Sequence, residues 1–281
     1  MGKKVFLTGA SAGIGLAVAR ALTDAGHEVW GTARSVDRLP VGLPGFRSVR
    51  LNLDGNDAAL ADTFHAALGE AGGRFDVIIN NAGGAWFGPG EEMPVADLRG
   101  QLEALVLGPI RLVQLALPSL RRQPGGLVIN VTSLAARLPL PFGSGYSAGK
   151  AALSVWTAAM QMEEAAPRPA GEHGARFVDV QPGDINTGFN RAMAFWSKLQ
   201  DVENPLARAV RGSLAASDRS LAGAPPPEKV AAAIRRIVDD GGSSGPLLAV
   251  GNVWQALGGP LAYRFLPRRL LLWTVRKNCG L

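Results

Sequence analysis

The chain has 281 residues, 47% hydrophobic and 19% charged, long enough for one large core and composed like a globular protein rather than a disordered or fibrous one. Its net charge of +6 gathers at one end: Arg264, Arg268, Arg269, Arg276 and Lys277 lie in the last twenty residues with no acid among them, which leaves the rest near neutral and argues against a nucleic-acid-binding face. The single cysteine, Cys279, excludes an internal disulfide, no leader-like stretch precedes Val5, and no apolar run approaches the ~20 residues of a membrane helix, so a cytoplasmic protein is expected.

Residues 3–8 predict a strand and 14–25 a helix with Ala and Leu on one face. Strands are expected at 28–32 and 47–52, a helix at 57–69, a strand at 76–79, a long helix at 95–120 and a strand at 127–131. A loop then leads to a helix at 146–164 and a strand at 175–180. Alternation of this kind implies βαβ units and a parallel sheet with helices on both faces. Past Pro182 the pattern changes. Residues 186–224 carry mixed helical signals and no strand, and are expected to form an insertion over the substrate. Pro225-Pro226-Pro227-Glu228 opens a helix to about 239, because Pro needs no donor in a first turn, and 247–250 reads as the last strand. Residues 253–281 form a basic, apolar extension. No repeat or long linker divides the chain, so a single domain is expected.

The first strand runs into Thr8-Gly9-Ala10-Ser11-Ala12-Gly13-Ile14-Gly15 and then directly into a helix. Glycines permit the sharp turn and a close approach of backbone to a pyrophosphate, and the helix N-terminus offers N–H groups and the positive end of its dipole. A glycine cluster by itself is equally a tight strand-to-helix turn; the strand before and the helix after favour a dinucleotide. At the end of the second strand an acid favours NAD. Here that strand ends in Thr32-Ala33-Arg34 with no acid, and a guanidinium suits a 2′-phosphate. The expected cofactor is NADP(H).

Tyr146-Ser147-Ala148-Gly149-Lys150 sets a phenol and an amine four residues apart, on one helix face. An ammonium about 4 Å away contributes roughly 4 kcal/mol at an effective dielectric near 20. That would lower a phenol pKa of ~10 by about three units, toward a working acid–base value. Ser133, just past a predicted strand end, can donate to a carbonyl oxygen. The expected catalytic set is Ser133, Tyr146 and Lys150.

With these motifs in order, the sequence resembles the short-chain dehydrogenase/reductase family over nearly its full length. The resemblance rests on Thr8 to Gly15, on Asn80-Asn81-Ala82-Gly83, on Ser133, Tyr146 and Lys150, and on Pro182-Gly183-Asp184-Ile185-Asn186-Thr187. It implies a Rossmann-type, doubly wound α/β fold and interconversion of a carbonyl and an alcohol, with Tyr146 as proton donor. It implies that Gly9, Ser11, Gly13, Ile14, Gly15, Arg34, Ala82 and Gly83 border the cofactor. Lys150 would bond the nicotinamide ribose as well, Asn81 would support the central sheet, and Pro182, Gly183, Ile185 and Thr187 would lie beside the nicotinamide. A homodimer or homotetramer through the two middle helices is also implied.

Two positions depart from the family pattern. Near the adenine the usual Asp is replaced in Leu51-Asn52-Leu53-Asp54, where Asn52 takes the place beside Leu53 and the carboxylate is one register off. In the middle helix the usual catalytic Asn is replaced by Leu105, within Glu103-Ala104-Leu105-Val106-Leu107-Gly108, and no Asn occurs between Asn81 and Asn130. By analogy that Asn holds a water linking the lysine to solvent, which Leu105 cannot do. A working enzyme with a rerouted proton supply is the preferred reading. The alternative is a non-catalytic NADP-binding sensor or scaffold.

His27, His65 and His173 lie far apart without ligand spacing, so no metal is expected. No Gly-x-Ser-x-Gly elbow supports a hydrolase. Trp86, Phe142, Phe189, Met193 and Trp196 are candidates to line a cleft for a bulky apolar substrate, with ordinary core packing as the competing explanation. In the C-terminal segment, packing over that cleft or against another subunit is preferred to an interfacial membrane helix, because Pro267 interrupts any continuous helix.

Overall fold

A computed structural model describes every residue except 1, 54, 190–192, 202, 241–244 and 253. Seven parallel strands form the main sheet: β1 (Lys4–Leu7), β2 (Glu28–Ala33), β3 (Phe46–Arg50), β4 (Val77–Asn80), β6 (Leu127–Val131), β7 (Arg176–Pro182) and β9 (Leu247–Val250). Their order is β3-β2-β1-β4-β6-β7-β9. The helices are α1 (Gly13–Asp24), α2 (Asp57–Glu70), α3 (Val95–Leu102), α4 (Gly108–Leu120), α5 (Ser144–Glu164), α6 (Pro205–Ala222), α7 (Pro227–Asp239), α8 (Gly259–Phe265) and α9 (Arg268–Asn278).

Side-chain alternation along the strands builds two cores. Val5 and Leu7 point to one face, where they meet Val18 and Leu22 of α1 and Val230 and Ile234 of α7. Phe6 points to the other, against Phe64 of α2, Leu112 and Val113 of α4 and Met160 of α5. Both faces of each central strand are therefore buried, which is why these strands read as short, nearly unbroken apolar runs. The fold is the expected doubly wound α/β sheet in a single domain.

Three features depart from the expectations. The stretch 186–224 was expected to hold no strand, yet it contains β8 (Ala194–Phe195). β8 pairs in parallel with β5 (Trp86–Phe87), Trp86 opposite Ala194 and Phe87 opposite Phe195. Such a two-residue ladder is too short to show any periodicity in sequence. The expected single helix at 95–120 is interrupted by a π turn at Glu103–Leu107. Pro109 accounts for it: Pro has no N–H to give and its ring collides with the carbonyl four residues back, and inserting one residue as a π bulge lets the helix continue. This stretch, Val95–Leu120, is also long and apolar enough in composition to cross a membrane, contrary to the expectation that no such run exists. Its Leu112, Val113, Ala116 and Leu120 are fully buried against the sheet, the place of a core helix.

Candidate active site

Strand order reverses between β1 and β4, and a crevice opens there at the carboxyl ends of the strands. Gly9 and Gly13 have φ of +73° and +51°, a region that glycine enters without penalty. A Cβ on Gly9 would lie 2.8 Å from Ala82 Cα, and one on Gly15 would lie 1.9 Å from the Gly9 carbonyl oxygen, so neither position tolerates a side chain. Asn81 locks this turn to β4: its Nδ2 donates to the carbonyls of Thr8 and Gly9 at 3.0 and 3.1 Å, and its own N–H and that of Ala82 donate to Thr8 Oγ1 at 3.0 Å. The start of α1 is left open. Ala12 provides no side-chain cap and no acid lies in the first turn, so its dipole and N–H groups face the crevice. Ser11 and Ile14 line the turn half-buried, and Gly83 is exposed at the opposite rim.

Arg34 follows the end of β2, exposed. Among the described residues it forms no ion pair. Asn52 is exposed while Leu53 is buried, packed under Gly108; the displaced carboxylate of Asp54 lies outside the described residues. An uncapped helix start, a cradle that any Cβ would fill and a free guanidinium at the β2 edge fit a phosphate-bearing dinucleotide.

α5 begins at Ser144, two residues before the expected start, which puts Tyr146 in its first turn and Lys150 one turn further. Ser133 follows β6 and caps the next turn, accepting from Ala135 N at 3.1 Å. Its hydroxyl faces Pro182 O at 3.5 Å and lies near enough to the Tyr146 phenol to favour its ionised form. Lys150 Nζ donates to Val131 O at 2.8 Å and lies 5.8 Å from the centre of the Tyr146 ring. The three side chains of the expected catalytic set therefore meet.

Their electrostatics differ from the sequence expectation. Burial pushes the Tyr146 phenol above its ordinary value, with the neighbouring Ser133 hydroxyl pulling the other way. The net shift is thus opposite to the one expected from Lys150, because desolvation of the phenol dominates. Desolvation brings Lys150 down to about 8, against the opposing pull of Asp179. Asp179 was not singled out from sequence. It sits buried in β7, accepting from Thr132 Oγ1, from Ser154 Oγ at 2.6 Å and from Gln181 Nε2 at 2.8 Å. An acid within an apolar strand was the signal available for it.

Pro182 ends β7, and Gly183 N donates to Val250 O at 2.7 Å. Ile185 is buried in the first core, and Thr187 lies against Gly13 across the crevice. Gln255, which no sequence pattern marks, holds Asp184 from the far side: Asp184 N donates to its Oε1 at 3.1 Å and its Nε2 donates to Asp184 Oδ2 at 2.7 Å.

The short chain dehydrogenase family pattern matches residues 3–197. The chain belongs to the short-chain dehydrogenases. Oxidoreductase BOA17 of Botryotinia fuckeliana (strain B05.10) is 31% identical over 229 residues, 80% of this chain and 79% of that protein. A short-chain dehydrogenase from Streptomyces avermitilis superimposes with a TM-score of 0.77 at 30% identity, over 97% of this chain and 96% of that one. An alcohol dehydrogenase from the archaeon Thermococcus sibiricus, complexed with 5-hydroxy-NADP, gives 0.69 at 25% identity, over 91% and 98%.

In this short-chain dehydrogenase Leu105 lies within the π turn, 1% exposed. Its side chain fills the space between Gly83 and Gly149, where Cβ atoms would stand 3.0 Å from its methyls. The aromatic candidates separate into two groups. Trp86 and Trp196 are buried in a third cluster with Phe87 and Leu199, against which Phe142 and Met193 pack; they hold the β5–β8 flap together. Phe189 instead lies beside Tyr146, ring centres 5.7 Å apart.

Proposed function

We propose that this short-chain dehydrogenase interconverts a carbonyl and an alcohol with NADP(H), reduction being the favoured direction. The observation that carries the reading is the approach of Ser133 and Lys150 to the Tyr146 phenol, Lys150 Nζ lying 5.8 Å from its ring centre. Ser133 orients the carbonyl oxygen, and Tyr146 gives it a proton. Lys150, tethered at Val131 O, stabilises the phenolate left behind, which matters most in a site where burial disfavours that charge. Gly9, Ser11, Gly13, Ile14 and Gly15 would hold the diphosphate, with Asn52, Leu53, Ala82 and Gly83 bordering the adenosine half. Lys150, Pro182, Gly183, Ile185 and Thr187 would lie toward the nicotinamide half. When bound, this cofactor supplies the hydride. Arg34 supports NADP(H) over NAD(H), as does the 5-hydroxy-NADP complex of the archaeal relative. Phe189 beside the phenol and the aromatic cluster at the β5–β8 ladder favour a bulky apolar substrate.

NADPH oxidation over a panel of ketones and aldehydes tests this. Tyr146→Phe is expected to lower turnover about 10²–10⁴-fold, the contribution of one general acid, while NADPH still binds. Arg34→Ala should weaken NADPH about tenfold or more, the loss of a charge-assisted hydrogen bond, and leave NADH unchanged, as read by cofactor fluorescence titration. The buried Leu105 favours a second reading, a cofactor-binding protein without turnover. NADPH binding with no oxidation by any carbonyl selects that one.

A further inference from the structure

The C-terminal segment packs only in part. Its inner side meets the body of the protein: Gln255 grips Asp184, Gly259 sits over Leu134 and Leu138, Leu271 is buried, and Gly280 lies against Gly212 of α6. Among the described residues the outer side is covered little, Arg137 over the Tyr263 ring being one contact. Trp254 and Leu257 in a π turn (Trp254–Gly258) and Leu261 and Phe265 in α8 all stand exposed to solvent. Trp254 is 83% and Phe265 70% exposed, and Trp273 on α9 is half exposed.

Cations border these side chains. The Arg264 guanidinium lies 5.5 Å from the Phe265 ring, and Lys277 Nζ lies 4.8 Å from the Trp273 ring; Arg268, Arg269 and Arg276 complete the set. From residue 241 to 281 the sequence contains no Asp or Glu.

We propose that this surface docks on an anionic phospholipid bilayer, lying in its interface without crossing it. Length excludes crossing: α8 has 7 residues and α9 has 11, separated at Pro267, where a spanning helix needs ~20. Charge decides between a bilayer and a second copy. A twofold contact through this face would set the same cations against themselves, whereas phosphatidylglycerol headgroups neutralise them. Tryptophan and arginine side by side suit the headgroup boundary, ring inward and guanidinium at the phosphates. The docking face is the back of the elements that touch Asp184 and Leu134, so docking would place the bilayer next to the proposed catalytic crevice.

The test is co-sedimentation of the full chain with vesicles of equal parts phosphatidylglycerol and phosphatidylcholine, against vesicles of phosphatidylcholine alone. Binding is expected only to the first, with a blue shift of tryptophan fluorescence. Arg268→Gln with Arg269→Gln should weaken it by roughly 30-fold, about fivefold for each cation near an anionic surface. Trp254→Ser with Phe265→Ser should abolish it without changing the thermal midpoint. The proposal is overturned by the absence of binding to either vesicle, or by equal binding to both. A dimer in sedimentation velocity that the Ser pair dissolves also overturns it and assigns the face to another copy.

Discussion

At the scale of single residues, the site is governed by burial more than by charge pairing. Lys150 is 4% exposed and is brought from 10.5 to about 8 by desolvation. A depressed folded-state pKa means that the protein holds this amine best when it is neutral. The corresponding stability is fully present above pH 10.5 and is lost as pH falls through about 8. Below that, the cost of the buried ammonium is on the order of 3 kcal/mol. Wild-type stability should therefore rise with pH between about 8 and 10, and Lys150→Met should flatten that rise; urea midpoints across the window measure it. Reduction should decline over the same range, as the ammonium beside Tyr146 is lost, and a flat rate profile would argue against its role. Sequence spacing was enough to bring Tyr146, Lys150 and Ser133 together. It could not supply the direction of the phenol shift, because desolvation depends on which groups enclose the ring.

At the scale of elements, the π turn is the informative piece. Pro109 stands directly after it, in the first turn of α4, and Leu105 within it fills the space between Gly83 and Gly149. An apolar wedge thus stands beside Lys150, where family analogy expects a water-holding side chain. Leu105→Asn places a polar group at a buried position. It should cost about 1–3 kcal/mol if no water follows it in, read from the urea midpoint. If proton supply limits the rate, turnover should rise while NADPH binding is unchanged; an unchanged rate would sink the rerouted supply. The substitution itself was plain in sequence, but its consequence was not. The apolar residues Leu98, Leu102, Val106, Ile110 and Val113 around it read equally as a core stripe, and only the bulge shows which way the side chain turns. The β5–β8 ladder was invisible for a related reason: two residues cannot establish a period.

At the scale of the whole molecule, α5 leaves Val155 and Met162 largely exposed on the side away from the sheet, on one of the middle helices through which self-association is expected. Exposed apolar side chains at such a place suit an isologous contact. Val155→Glu with Met162→Glu should lower the mass in sedimentation velocity, and an unchanged mass would move the contact elsewhere. The acid-free C-terminal surface is a separate face with a different chemistry, and its exposure became apparent only when α8 and α9 were seen against the body.

Strand order, helix order and the glycine turn follow from local chemistry: apolar periodicity, backbone freedom at Gly9 and Gly13, and the missing donor of proline are properties of short segments. These were enough to place the chain among doubly wound folds and to name Ser133, Tyr146 and Lys150. The buried Asp179 network, the Gln255 grip on Asp184 and the side to which Leu105 turns are contacts between segments distant in sequence. They were decided by packing, since solvent exclusion and hydrogen-bond partnership exist only once those segments meet.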